Sequence, residues 1–137
     1  MATQKITPDM IKVKRSSAGL GVYAVVRIPK GAQLEYTGER ISEAESNKRG
    51  GKYLFHIDAS TVIDGKGREN IARYVNHSCK PNCESVIRGK RVFITTLRAI
   101  SPAEELTYDY GEEYFDEHIK PFGCRCVVHH PPLSKGR

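Results

Sequence analysis

The chain has 137 residues, 39% of them apolar and 28% charged, the length and balance of one globular domain with its own core. No apolar run approaches membrane-spanning length, and the opening Met1-Ala2-Thr3-Gln4-Lys5 has no signal-peptide character; this sets aside membrane and secreted classes in favour of the cytoplasm, or the nucleus of a eukaryote. Lys and Arg exceed Asp and Glu by six, but the basic clusters at 12–15, 48–52 and 88–91 carry no interleaved aromatics, which argues against stable nucleic-acid binding.

In chain order, residues 10–15 and 20–26 read as two short strands around Ser16-Ser17-Ala18-Gly19. Gly19 and Gly21 bracket Leu20 in a turn that permits close backbone approach. It is not a dinucleotide fingerprint, since no third glycine follows and the next segment is a strand. After the turn Pro29-Lys30-Gly31 comes a strand over 33–37. Ser42-Glu43-Ala44-Glu45 has the capping-box pattern of a short helix, which runs to Arg49 and stops at Gly50-Gly51. Strands follow over 53–58 and 60–64, then a loop at 65–67 and a helical turn over 70–74. Residues 83–87 and 91–97 flank Arg88-Gly89-Lys90 as a β-hairpin. Ser101-Pro102-Ala103 breaks the chain before a last strand over 105–110. Many short strands with little helix predict a β-rich domain, all-β or α+β. On that pattern alone the architecture is a small barrel or sandwich.

Two stretches carry chemistry. In Arg73-Tyr74-Val75-Asn76-His77-Ser78-Cys79-Lys80-Pro81-Asn82, positions 76–82 hold five polar or metal-capable side chains behind an apolar lead-in. A tucked segment that polar must direct its hydrogen bonds to protein or ligand. In Glu105-Leu106-Thr107-Tyr108-Asp109-Tyr110, the two tyrosines share a strand face with Leu106; by themselves they fit an ordinary buried face. Four cysteines without a secretory signal point to metal binding or reduced thiols.

Asn76-His77-Ser78-Cys79-Lys80-Pro81-Asn82 and Glu105 to Tyr110 together resemble the two signature motifs of the SET-domain protein lysine methyltransferases. Gly19-Leu20-Gly21-Val22-Tyr23-Ala24 is similar to the family's glycine turn, and Tyr36-Thr37-Gly38-Glu39 to its Tyr-x-Gly-Glu element. All four stand in the family's order, and the resemblance runs from about Lys12 to Cys126. It implies a SET fold of several small sheets with a C-terminal pseudoknot, a catalytic domain over 10–115 and a short post-SET-like tail over 116–137. It implies transfer of a methyl group from S-adenosyl-L-methionine to a protein lysine. Tyr36, Tyr108 and Tyr110 would line the lysine tube, with Tyr110 as the catalytic tyrosine. Tyr108 stands where the family has Phe or Tyr, and a Tyr there implies mainly monomethylation. Gly19, Leu20, Gly21, Tyr74, Asn76 and His77 would bind the cofactor, with Phe122 against its adenine.

The resemblance also implies one zinc ion, held by Cys79 and tail cysteines, here Cys124 and Cys126. The family's third tail cysteine would fall near Pro131 and is missing, so His129 or His130 completes the set, or the tail is metal-free with reduced thiols. Cys83 is expected to be packing, Arg73 a structural salt bridge, and His56 and His118 structural. The implied partner is a basic protein or peptide (a histone, nucleoid or ribosomal protein), met by a monomer. Glu84, Glu112, Glu113, Asp116 and Glu117 would either attract that substrate or form a solvated face. Two other functions remain open: a catalytically inactive SET-fold peptide-binding module and a zinc-dependent nucleic-acid-binding protein.

Overall fold

The computed structural model describes residues 4–16, 19–50 and 53–110. Their strands fall into three small sheets. In the first, β1 (Ile11–Ser16) and β2 (Gly19–Ala24) form a hairpin in register from Ile11↔Ala24 to Ser16↔Gly19. Strand β10 (Glu105–Tyr108) pairs antiparallel with β2, and its other edge pairs parallel with the two-residue β7 (Asn76–His77), so the order is β1-β2-β10-β7. The C-terminal strand is thus inserted between an early strand and a middle one. The chain past Tyr110, and with it the complete pseudoknot, lies outside the described residues.

In the second sheet β3 (Gln33–Tyr36), β9 (Arg91–Thr96) and β8 (Cys83–Arg88) lie in the order β3-β9-β8. The β8–β9 hairpin closes at Arg88↔Arg91 around Gly89, whose φ of 62° is the left-handed conformation such a two-residue turn requires. The third sheet has the order β4-β6-β5, from β4 (Glu39–Ser42), β6 (Thr61–Asp64) and β5 (Leu54–His56). Helix α1 (Glu43–Arg49) starts where Ser42 Oγ accepts the amide of Glu45 at 3.0 Å. Its last residue, Arg49, grips Glu39, Glu45 and the buried Asp64, which ties the helix to this sheet. No helix among the described residues is long and apolar enough to cross a membrane.

The sheets share one core. Val22, Val92, Ile94 and Leu106 are fully buried in it, as period-2 alternation along short strands dictates, and Ile28, Val75 and Ile100 join them from between the strands. The expected elements all appear, with ends shifted by a residue or two, but the barrel or sandwich does not. Strands of two to six residues are too short to wrap a closed sheet, and three sheets meeting over one core solve the burial problem instead. Strands β4 and β7 are additions to the expected set. β7 is two residues long and exists only through its pairing with β10.

Candidate active site

The site is assembled where β10 runs beside β7. Because Tyr108 is the register partner of His77, the pair Asn76-His77 is drawn against the two tyrosines. Asn82 locks the junction: its Nδ2 donates to Glu105 O at 2.7 Å and its Oδ1 accepts Thr107 N at 2.9 Å. The polarity of the 76–82 segment is therefore used largely within the protein.

The rings form a continuous row. Tyr36 lies 5.3 Å from Phe55, Phe55 lies 6.5 Å from Tyr108, Tyr108 lies 4.8 Å from Tyr110, and Tyr110 lies 5.4 Å from His77. Both end tyrosines are pinned by their hydroxyls. The Tyr36 hydroxyl donates to Tyr53 O at 2.8 Å, and the Tyr110 hydroxyl donates to Val75 O at 2.5 Å. With their protons so committed, both oxygens meet any further group as acceptors. The Tyr110 amide donates to His77 Nδ1 at 3.1 Å, which assigns the imidazole proton to Nε2, 3.4 Å from Cys79 Sγ. Asp109 lies 3.7 Å from the same Nδ1 but is largely exposed.

Beneath Tyr36, the loop at Gly65 fits without room to spare. A Cβ there would come within 2.4 Å of both the Tyr36 ring and Asn70 Nδ2. Asn70, 1% exposed, ties the two loops, accepting Thr37 N and donating to Gly65 O, each at 3.0 Å.

At the other end, Asn76 Nδ2 reaches Leu20 O at 2.8 Å, and Ser16 Oγ and Glu105 Oε2 at 2.9 Å each. The glycine turn thus rests on the Asn-His segment, with Gly19 and Leu20 exposed. Tyr74 ends a 3-10 turn (Ile71–Tyr74) that packs against β2 and β3. Arg73 corrects the salt-bridge expectation: among the described residues it pairs with no carboxylate. Its guanidinium donates to Lys66 O and to the Tyr74 hydroxyl and lies over the Tyr53 and Tyr74 rings, 4.9 and 4.5 Å from their centroids. Its buried Nε has no hydrogen-bond partner among the described residues.

Of the expected site residues, the structure brings together Tyr36, Tyr108, Tyr110, Asn76 and His77, and sets the turn of Gly19, Leu20 and Gly21 beside them. Phe122, Cys124, Cys126, His129 and His118 lie outside the described residues, as do Glu112, Glu113, Asp116 and Glu117. Cys79, Glu84 and His56 are exposed, and among the described residues no three His, Cys, Asp or Glu side chains converge as a metal centre. Sequence reading missed Phe55 and the Tyr53 carbonyl. Tyr53 and Phe55 stand two apart, the same spacing as Tyr108 and Tyr110, but no family motif falls on them.

Cys83 is packing, as expected. It is 1% exposed, and burial pushes its thiol up to about 12. In the native protein at pH 8 it is therefore expected to resist iodoacetamide and to react only after denaturation. Mass-spectrometric mapping checks this, and alkylation at the rate of an exposed thiol would contradict it.

Comparison with known proteins agrees with this geometry. The family model described as "SET domain" matches residues 19–111, more than half of the chain and every described element of the site. A histone-lysine N-methyltransferase, H3 lysine-4 specific, of Chaetomium globosum is 44% identical over 118 residues, covering 75% of this chain and 11% of that protein. Histone-lysine N-methyltransferase trithorax of Drosophila virilis is 39% identical over 132 residues, 86% of this chain and 3% of the relative. For histone-lysine N-methyltransferase ash1 of Drosophila melanogaster the figures are 37% over 135 residues, 88% and 6%. The chain thus spans only a small part of the length of the curated relatives it matches. With the motif residues gathered at one junction and the family match laid over them, the chain belongs to the SET-domain family.

Proposed function

We propose that this chain is an S-adenosylmethionine-dependent protein-lysine N-methyltransferase that acts as a monomer on a lysine of a basic, histone-class protein and adds mainly one methyl group. The observation that carries the reading is the row of rings from Tyr36 through Phe55 and Tyr108 to Tyr110, ending beside Asn76-His77. The relatives' names, all histone-lysine N-methyltransferases, support the substrate class and, in a eukaryote, a nuclear setting.

A lysine has to arrive neutral to be methylated. With an ordinary pKa near 10.4, only about one molecule in 2,500 is neutral at pH 7, a deficit of roughly 4.6 kcal/mol. An aromatic wall strips water from the ammonium and favours its loss of a proton. The hydroxyl oxygens of Tyr36 and Tyr110 then orient the amine by accepting its N–H groups. No strong base is needed; alignment supplies the catalysis.

Two features fit the cofactor. Among the described residues Asn76 Oδ1 takes no hydrogen bond, and the buried Arg73 Nε–H, beside Tyr74, is a donor without an acceptor. When bound, S-adenosylmethionine would supply an electrophilic methyl group on a positively charged sulfonium. Gly19, Leu20, Gly21, Tyr74, Asn76 and His77 would hold it, with Phe122 against its adenine. The domain would run over 10–115 with 116–137 as a tail. In that tail Cys124, Cys126 and His129 would share a zinc ion with Cys79, the alternative being a metal-free tail.

Calorimetry of S-adenosylmethionine binding to the purified chain tests the cofactor half of the reading, and one site per chain is expected. Product analysis tests the pocket. The Tyr108 hydroxyl narrows the space around the amine, so Tyr108→Phe is expected to shift products from mono- towards di- and trimethyl-lysine. An unchanged monomethyl product would remove Tyr108 from that role. Failure to bind S-adenosylmethionine would favour a peptide-binding module.

A further inference from the structure

We propose that Glu105 is a positioning residue: its carboxylate, lodged under the glycine turn, fixes which way round the Asn76 amide sits and so presents Asn76 Oδ1 to the cofactor. This rests on the reading of Asn76 as a cofactor-binding residue and adds a residue that acts only through it.

The two ends of an Asn amide are nearly the same size, and only the neighbours decide which faces which. Here the neighbours are the Leu20 carbonyl, the Ser16 hydroxyl and Glu105 Oε2, all within 2.9 Å of Nδ2. A hydroxyl adapts to either end of the amide. A carbonyl and a carboxylate do not, since both only accept, and the charged one makes the stronger bond. Turning the amide round would set Oδ1 against a carboxylate and a carbonyl. With Glu105 in place, Oδ1 faces away from all three.

Glu105 is itself held for this task. It opens β10 as the register partner of Tyr23 on β2, and its carbonyl accepts Asn82 Nδ2 at 2.7 Å. Its carboxylate fills the space that Gly21 leaves: a Cβ on Gly21 would come within 2.3 Å of Oε2 and 3.0 Å of Asn76 Nδ2. The Tyr23 hydroxyl, raised above its ordinary pKa by burial and then by the Glu105 charge, marks the same half-buried corner. The bare glycine, the carboxylate and the amide therefore fit as one unit. A purely structural Glu105 would weaken the fold without regard to Asn76, whereas a positioning Glu105 has no effect once the Asn76 amide is gone.

The test is calorimetry of S-adenosylmethionine binding to wild type, Glu105→Leu, Glu105→Gln, Asn76→Ala and the double variant Glu105→Leu/Asn76→Ala, with thermal melts to establish folding. Glu105→Leu is expected to raise the cofactor Kd about tenfold or more, the worth of one charged hydrogen bond. In the Asn76→Ala background it should add nothing. Glu105→Gln keeps an acceptor for Nδ2 and is expected to stay within about threefold of wild type. The peptide KM at saturating cofactor should not move. If Glu105→Leu does not fold, Glu105→Ala, which removes the carboxylate without adding bulk under the glycine turn, is expected to show the same loss and the same lack of additivity with Asn76→Ala. Wild-type affinity in Glu105→Leu, or additive losses in the double variant, would overturn the inference while leaving the reading of Asn76 intact. Asn76→Ala that binds as tightly as wild type would overturn both.

Discussion

Tyr110→Phe is expected to cut methyl transfer by about a hundredfold or more while the protein stays folded and still binds S-adenosylmethionine. The hydroxyl donates to Val75 O at 2.5 Å, so in the proposed reaction its oxygen would meet the substrate amine as a fixed acceptor. The ring is placed by other means. It packs 4.8 Å from Tyr108 and 5.4 Å from His77, and the residue's own amide is held by His77 Nδ1. Phe keeps all of these contacts. What the fold loses is one hydrogen bond to Val75 O, about 1 kcal/mol, a small fraction of a typical 5–15 kcal/mol stability. Loss of turnover without a matching loss of melting temperature is the signature, read from initial rates and a thermal melt. A fall in rate explained by unfolding would remove Tyr110 from the chemistry.

Asn70→Leu is expected to act the other way, through stability. The amide is buried and bridges two loops, accepting Thr37 N from 33 residues earlier in the chain and donating to Gly65 O. Leucine has about the right volume but satisfies neither backbone group, and each buried group left unpaired costs about 1–3 kcal/mol. The expected loss is about 2–5 kcal/mol, read as a drop in the urea-unfolding free energy. The same change frees the Gly65 loop from the Tyr36 ring, so residual activity should fall further than the folded fraction. A loss under about 0.5 kcal/mol, the range of an ordinary surface substitution, would contradict the account.

Tyr108 and Tyr110 by spacing alone fitted a buried strand face, and Asn76-His77 alone fitted a structural turn as well as a site; it was their occurrence together, as the family's two motifs, that singled them out. Together with the glycine turn and Tyr36 they made most of the site legible. What escaped depends on contacts that leave no local pattern. Asn70 reads as one more loop residue until its partner Thr37, 33 residues away, is known. Asn76 meets Ser16 across 60 residues, and Glu105 is an ordinary strand opener until Gly21 is seen to leave room for its carboxylate. Arg73 looked like half of an ion pair because guanidinium usually finds carboxylate; here a carbonyl, a phenol and two ring faces take that place. The three-sheet architecture was hidden for a similar reason, since strand lengths and turns are the same in a barrel and in sheets that share a core. The family resemblance, not the periodicity, carried that expectation.

The central claim, that this chain moves a methyl group onto lysine, is tested most directly by following isotopically labelled methyl from S-adenosylmethionine into histones and cell-extract proteins, with mass spectrometry of each labelled band. The account predicts label on a lysine side chain, mainly as monomethyl-lysine, and its near disappearance with Tyr110→Phe. Cofactor binding with no label on any lysine across these substrates, or label that Tyr110→Phe leaves unchanged, would contradict it.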